Sequence, residues 1–256
     1  MRRLWLVAVM VVAELACAPA APSKDRMKES TLKGMDTSSR VRLAQSYYEN
    51  GRPAEALSLT RETVELDPRN AGLRNFYGQL LFLTEDLPAA ERELKEALAI
   101  DPSLTDAHNN LGAVYDRDGR KTEAEAEFRT VLADRTYPTP EKAHLNLGVL
   151  YDGQGRSQDA IAELRRAVEV NPRFYQGHYE LAGMLERAGK LQEAAQLYEV
   201  AAPAYRNFAP YHYRLGLTYF KLDDRMRARE HLDRVIELSP GSESAAKASE
   251  ILELLR

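Results

Sequence analysis

A single cysteine in 256 residues excludes an intramolecular disulfide framework and any site built from several thiolates. A strong charge of one sign is also lacking. The net charge of −4, from 35 Lys and Arg against 39 Asp and Glu, leaves no basic footprint for nucleic acid. The uninterrupted apolar run from Leu4 to Ala13 has ten residues, too few for a membrane-spanning helix, which needs about 20. Signatures of catalysis are missing too: no histidines pair at one-turn spacing, and the carboxylates are scattered over helical positions where a charged face is ordinarily just solvated. No catalytic residue, metal ligand or cofactor is expected.

What is present is a repeat. Between Glu141 and Phe174, Leu147, Gly148 and Tyr151 share one helical face, Gly155 breaks the chain, Ala160, Leu164 and Ala167 mark a second helix, and Pro172 stops it. This resembles the tetratricopeptide repeat, a helix-turn-helix unit of about 34 residues. The pattern recurs in phase as copies 37–70, 71–104, 105–140, 141–174, 175–208 and 209–242. The eighth position holds Ala44, Gly78, Gly112, Gly148, Ala182 and Gly216. The twentieth is alanine throughout: Ala56, Ala90, Ala124, Ala160, Ala194 and Ala228. The fold class implied is all-α, a superhelical solenoid in which each repeat buries its apolar face on its neighbours. An amphipathic segment, 243–256, with Ala245, Ala248, Ile251, Leu252 and Leu255 on one side, reads as the capping helix.

The N-terminus reads differently. Arg2 and Arg3 precede the apolar run, as in a secretory signal. Leu15, Ala16 and Cys17 resemble the end of a bacterial lipobox, which implies a signal peptide 1–17, palmitate and related acyl chains on Cys17, and a membrane anchor without a spanning segment. Glu14 departs from the lipobox pattern. The alternative is ordinary cleavage near Ala20, which discards Cys17. The resemblance places a lipidated product on the periplasmic face of the outer membrane, because Ala18 lacks the aspartate that retains such proteins at the inner one. Residues 18–36, with Pro19 and Pro22 and no apolar period, read as a flexible tether.

Irregularities carry further expectations. Ser38 or Ser39 should cap the first helix. Arg40 and Thr60 stand where bulky apolar residues are usual, as suits a terminal repeat facing water. Thr136 to Pro140 shifts the phase by two residues and is expected to divide the array into halves. Pro203 should end its helix near Ala202. His108, His144, His178 and His212 share the fourth position of successive repeats, but neighbouring helices lie roughly 10 Å apart, and zinc needs nitrogens near ~2 Å. They are read as amphipathic filler between helices.

Function is therefore sought on the face formed by the first helix of each repeat, at positions 5, 9, 12 and 13 by resemblance to other tetratricopeptide proteins. Leu145, Val149, Tyr179, Tyr213, Leu217 and Phe220 form an apolar strip there, with Tyr48 and Phe82 at matching places in the first half. Such a strip marks a partner-binding groove if it is exposed; the alternative is packing among themselves or on the cap. Chaperone-type members clamp a peptide carboxylate with lysine and asparagine at positions 5 and 9 of the first repeat. Val41 and Gln45 stand there instead, so the expected ligand is an apolar helix or strand.

Leader, tether, six repeats and overall length together resemble the pilotin family of type IV pilus systems, of the Tgl and PilF/PilW types. The resemblance implies an outer-membrane lipoprotein whose partner is a secretin subunit of the pilus machinery that serves twitching motility. A general periplasmic scaffold for another envelope protein would use the same groove. An enzyme would need a catalytic domain, and the repeats and cap take up residues 37–256.

Overall fold

Each stretch with helical apolar spacing, stopped by a glycine or a proline, forms one helix. The computed structural model describes residues 34–256; Cys17, the leader and most of the tether lie outside the described residues. Among the described residues there are thirteen α-helices: α1 Thr37–Glu49, α2 Pro53–Leu66, α3 Ala71–Leu83, α4 Leu87–Ile100, α5 Thr105–Arg117, α6 Lys121–Ala133, α7 Pro140–Gly153, α8 Ser157–Val170, α9 Tyr175–Arg187, α10 Leu191–Tyr205, α11 Ala209–Lys221, α12 Arg225–Leu238 and α13 Glu243–Leu254. They fall into two compact units, one ending at Asn110 and one spanning Leu111–Arg256.

In the first unit α1 packs on α2, α2 on α3, and α3 on α4. In the second, α7 pairs with α8, α9 with α10 and α11 with α12, while α13 covers α12 and touches α11. The small residues explain the closeness of each pair. A methyl on Gly148 would stand 2.7 Å from Leu164 Cγ, and one on Gly78 would stand 2.6 Å from Leu94 Cγ. All six alanines of the twentieth position are fully buried. Glycine is needed for another reason at the turn between paired helices, where Gly51, Gly119, Gly155 and Gly189 have positive φ. Glu85 and Asp223 take that conformation in the two remaining repeats, at φ 64° and 57°.

The same turns carry a recurring polar clamp. Arg52 lies over Tyr47 at 4.5 Å and pairs with Glu55 at 3.2 Å. Arg120 over Tyr115 (4.1 Å) pairs with Glu123, and Arg156 over Tyr151 (3.9 Å) pairs with Asp159. In the last repeat the charges are exchanged: Asp224 caps α12 and Arg227, three residues on, covers Tyr219 at 4.3 Å. Each such contact contributes modestly at an exposed site, but four copies fix the turn geometry.

Several local expectations are corrected. Asp36, and not a serine, caps α1, accepting from Ser39 N at 2.7 Å; Ser39 sits where its own amide needs the cap. Arg40 and Thr60 are buried, 6% and 1% exposed, and do not face water. Thr60 Oγ1 donates to the Ala56 carbonyl at 2.8 Å, which removes the cost of burying a hydroxyl. Pro203 does not stop α10, which continues to Tyr205. A proline this close to a helix end frees one carbonyl, that of Glu199, and both residues are exposed, so water can satisfy it. The proline-containing segment after α6 is not the dividing line between units. Tyr137 is buried there with Val131 and Ala143, which joins α6 to α7 inside the second unit.

Candidate protein-binding face

In the second unit the first helices of the last three repeats are tied to one another by charge. Arg187 on α9 donates to Asp152 on α7 at 2.7 Å. Glu186 on α9 meets Lys221 at 3.1 Å and Arg214 at 3.6 Å, both on α11, and accepts from the Tyr198 hydroxyl at 3.2 Å. The Glu186 side chain is only 11% exposed, so the two cations offset a desolvation that would otherwise be costly. Two carboxylates, Asp152 and Glu186, thus engage three cations, Arg187, Arg214 and Lys221.

Arg214 is the centre of this arrangement. Its guanidinium lies 5.3 Å from the Tyr179 ring and 5.6 Å from the Tyr198 ring. Burial works against the charge, but Tyr198, Tyr179 and Glu186 outweigh it and hold the guanidinium firmly protonated. Gly183 makes room for it, since a methyl there would strike the guanidinium nitrogens. Desolvation raises the Glu180 carboxyl above the ordinary range, opposed by Arg214 and Arg187.

The tyrosines around Arg214 form one cluster. Tyr179 stacks on Tyr205 at 4.8 Å, and Tyr205 stacks on Tyr211 at 5.9 Å. Tyr198 meets Tyr211 edge-on, and the Tyr211 hydroxyl donates to the Tyr198 carbonyl at 3.1 Å. Burial pushes the Tyr205 phenol up to about 12 and raises those of Tyr179, Tyr198 and Tyr211 as well.

These facts sort the sequence-derived strip. Leu145 is buried, 6% exposed, and so is not an exposed groove residue; its position on α7 turns it into the core. Val149 is exposed at 36%. Tyr179 is half-buried and held in the tyrosine cluster, a packing role. Tyr213, Leu217 and Phe220 are half-buried on α11, and none of the aromatic contacts around Arg214 involves Tyr213 or Phe220. Tyr48 on α1 and Phe82 on α3 are half-buried in the first unit, where Gln45 donates to Glu49 at 3.0 Å. The residues missed in the sequence are Glu180 and Arg214. The ion pairs themselves left a trace: Asp152 to Arg187 and Glu186 to Lys221 both span 35 residues, one more than the repeat.

Three of the four fourth-position histidines bind backbone, and all four are more than filler. His108, His178 and His212 each face, through Nε2, the carbonyl six residues earlier, at 3.3, 3.0 and 2.9 Å. His144 instead faces Glu163 at 2.7 Å. Each ties a first helix to the turn before it or to its partner helix.

The profile of the tetratricopeptide repeat family matches residues 41–105 and 142–207, just over half of the chain, and a second profile of the same family matches 212–242. The chain belongs to the tetratricopeptide repeat family. This tetratricopeptide chain is 35% identical over 83 residues to the inactive TPR repeat-containing thioredoxin TTL3 of Arabidopsis thaliana, covering 32% of itself and 12% of that protein. It is 34% identical over 95 residues to the human protein O-mannosyl-transferase TMTC2, covering 36% and 11%. The chain therefore spans only about a tenth of the length of these relatives. Among solved structures it is similar to PilW, a widely conserved type IV pilus biogenesis factor, at a TM-score of 0.73 and 25% identity over 83% of this chain and 98% of that one. Pseudomonas aeruginosa PilF matches at the same TM-score and 20% identity, over 84% and 96%, a likeness of fold.

Proposed function

We propose that this chain is a non-enzymatic assembly factor for the type IV pilus, acting as a pilotin on the secretin. The observation that carries the reading is the match to almost the whole of PilW, at one quarter identity, by a chain of nearly the same extent. Other tetratricopeptide proteins such as YrrB are covered as fully, 97% of that chain, but at a TM-score of 0.55 against 0.73 for PilW. Acylation of Cys17 would hold the repeats at the periplasmic face of the outer membrane and raise the effective concentration of face and client. No helix of the described residues is long and apolar enough to cross a membrane.

The face on α7, α9 and α11 suits an apolar client segment. Its cations are each paired with a carboxylate of the same face, while Val149, Tyr213, Leu217 and Phe220 offer apolar surface. Such a face would cover an aggregation-prone segment of a secretin monomer until its neighbours do so.

Heat-resistant secretin multimers should be measured in outer membranes with and without this gene. Multimers that vanish while the monomer persists support the pilotin reading. Unaffected multimers overturn it and leave a scaffold for another envelope complex.

A further inference from the structure

Histidine is scarce, and the only residues that bring two imidazoles together lie in the last repeat. His212 on α11 and His231 on α12 are 19 residues apart, yet their Nδ1 atoms stand 3.0 Å from each other with the ring centroids at 5.2 Å. The tautomer of His212 is set by its other nitrogen. Nε2 faces the Arg206 carbonyl at 2.9 Å, which can only accept, so the proton sits on Nε2 and the Nδ1 lone pair points at His231.

This is the arrangement of a metal-ligating histidine, which donates its far N–H to a backbone carbonyl and presents the near nitrogen. His231 is oriented independently by stacking on Tyr219 at 5.9 Å and 13°. The two rings line an open cleft of about 300 Å³ with Glu230, Arg234 and Glu237. Arg234 does not repel a cation freely, because it pairs with Glu237 at 2.7 Å and donates to Asn207. Burial lowers the proton affinity of both imidazoles, and for His231 the neighbouring His212 adds to it.

We propose that His212 and His231 bind a divalent first-row metal ion, zinc in the first instance, through their two Nδ1 atoms, bridging α11 to α12. Two nitrogens at about 2.05 Å from a tetrahedral zinc are roughly 3.3 Å apart, so the nitrogens part by a few tenths of an ångström and the rings turn until their lone pairs, now aligned along a hydrogen bond, converge on the ion. Imidazole suits zinc, copper and nickel, and excludes calcium and magnesium as the preferred ions. Among the described residues no third side chain completes the set, so water fills the remaining positions. The proton now on His231 Nδ1 moves through solvent to its Nε2, and neutral imidazoles bind with no net proton release. The site does not depend on the pilus assignment.

Untagged full chain is titrated calorimetrically with zinc chloride. One zinc per chain is expected, with affinity reduced at least tenfold in His212→Asn and in His231→Asn and unchanged in His108→Asn. Wild-type affinity in His231→Asn, or equal loss in His108→Asn, overturns the site. Should either variant misfold, side-chain ¹⁵N spectra of the wild-type chain decide: zinc should shift the Nδ1 resonances of two of the five histidines. Shifts in none of them overturn the proposal, whatever Cys17 binds.

Discussion

Asp152 and Arg187 are joined at 2.7 Å although 35 residues separate them, and Glu186 reaches Lys221 over the same interval. The spacing is one residue more than the repeat, because positions 12 and 13 of successive first helices face each other. The two pairs differ in burial and so should differ in weight. Glu186→Ala leaves Arg214 beside the tyrosines without its carboxylate and should cost about 1–3 kcal/mol in urea unfolding. Asp152→Ala frees an Arg187 that is already 46% exposed and should cost under about 1 kcal/mol, less at high salt. Equal losses would show that burial does not rank them.

Gly148→Ala tests the closeness of α7 to α8. Its methyl would fall 2.7 Å from Leu164 Cγ, so unfolding should show a loss of about 1–3 kcal/mol. Combined with Leu164→Ala, the loss should be smaller than the sum of the single ones, since the second change vacates the space the first one needs.

The apolar surface and the packing tyrosine can be separated. Tyr213→Ser with Phe220→Ser should keep helical content and thermal midpoint close to wild type and weaken secretin binding at least tenfold. Tyr179→Ala removes a ring stacked on Tyr205 and should lower stability by about 2 kcal/mol or more. Full binding by a well-folded Tyr213 and Phe220 variant would remove α11 from the docking face.

Glu180 gives a pH signature. Its folded carboxyl titrates above the ordinary value of 4.5, chiefly through burial, so the native state holds its proton more tightly than the unfolded chain does. Its stabilisation is therefore full below the unfolded value and is lost as pH rises through the folded one. Glu180→Gln should exceed wild type in stability at pH 7, with the difference disappearing below about pH 4.5. Paired urea titrations at the two pH values measure it. An excess that stays constant with pH would assign the effect to packing.

The repeat itself was legible because its determinants are local. Alanine at the twentieth position and glycine or alanine at the eighth recur in every repeat, a turn glycine at the fifteenth recurs in four of the six, and each acts within one helix pair. Tyr179 and Leu145 were misjudged for the opposite reason. Position 5 faces the first-helix surface in the consensus repeat, but Tyr205 and Tyr211 close over Tyr179 because α10 runs past Pro203. The serine caps failed through a smaller competition, since Asp36 stands three residues ahead of the amide that needs an acceptor.

By itself the sequence determined the all-α class, the helix pairs and the small residues between them, since periodicity and turn chemistry are short-range properties of the chain. Only the tertiary structure decided which groove residues stay open, that Arg214 sits among tyrosines over Gly183, and that His212 meets His231. Those pairings depend on how one helix rotates against another, a matter of packed side chains of different repeats that no single-repeat pattern encodes.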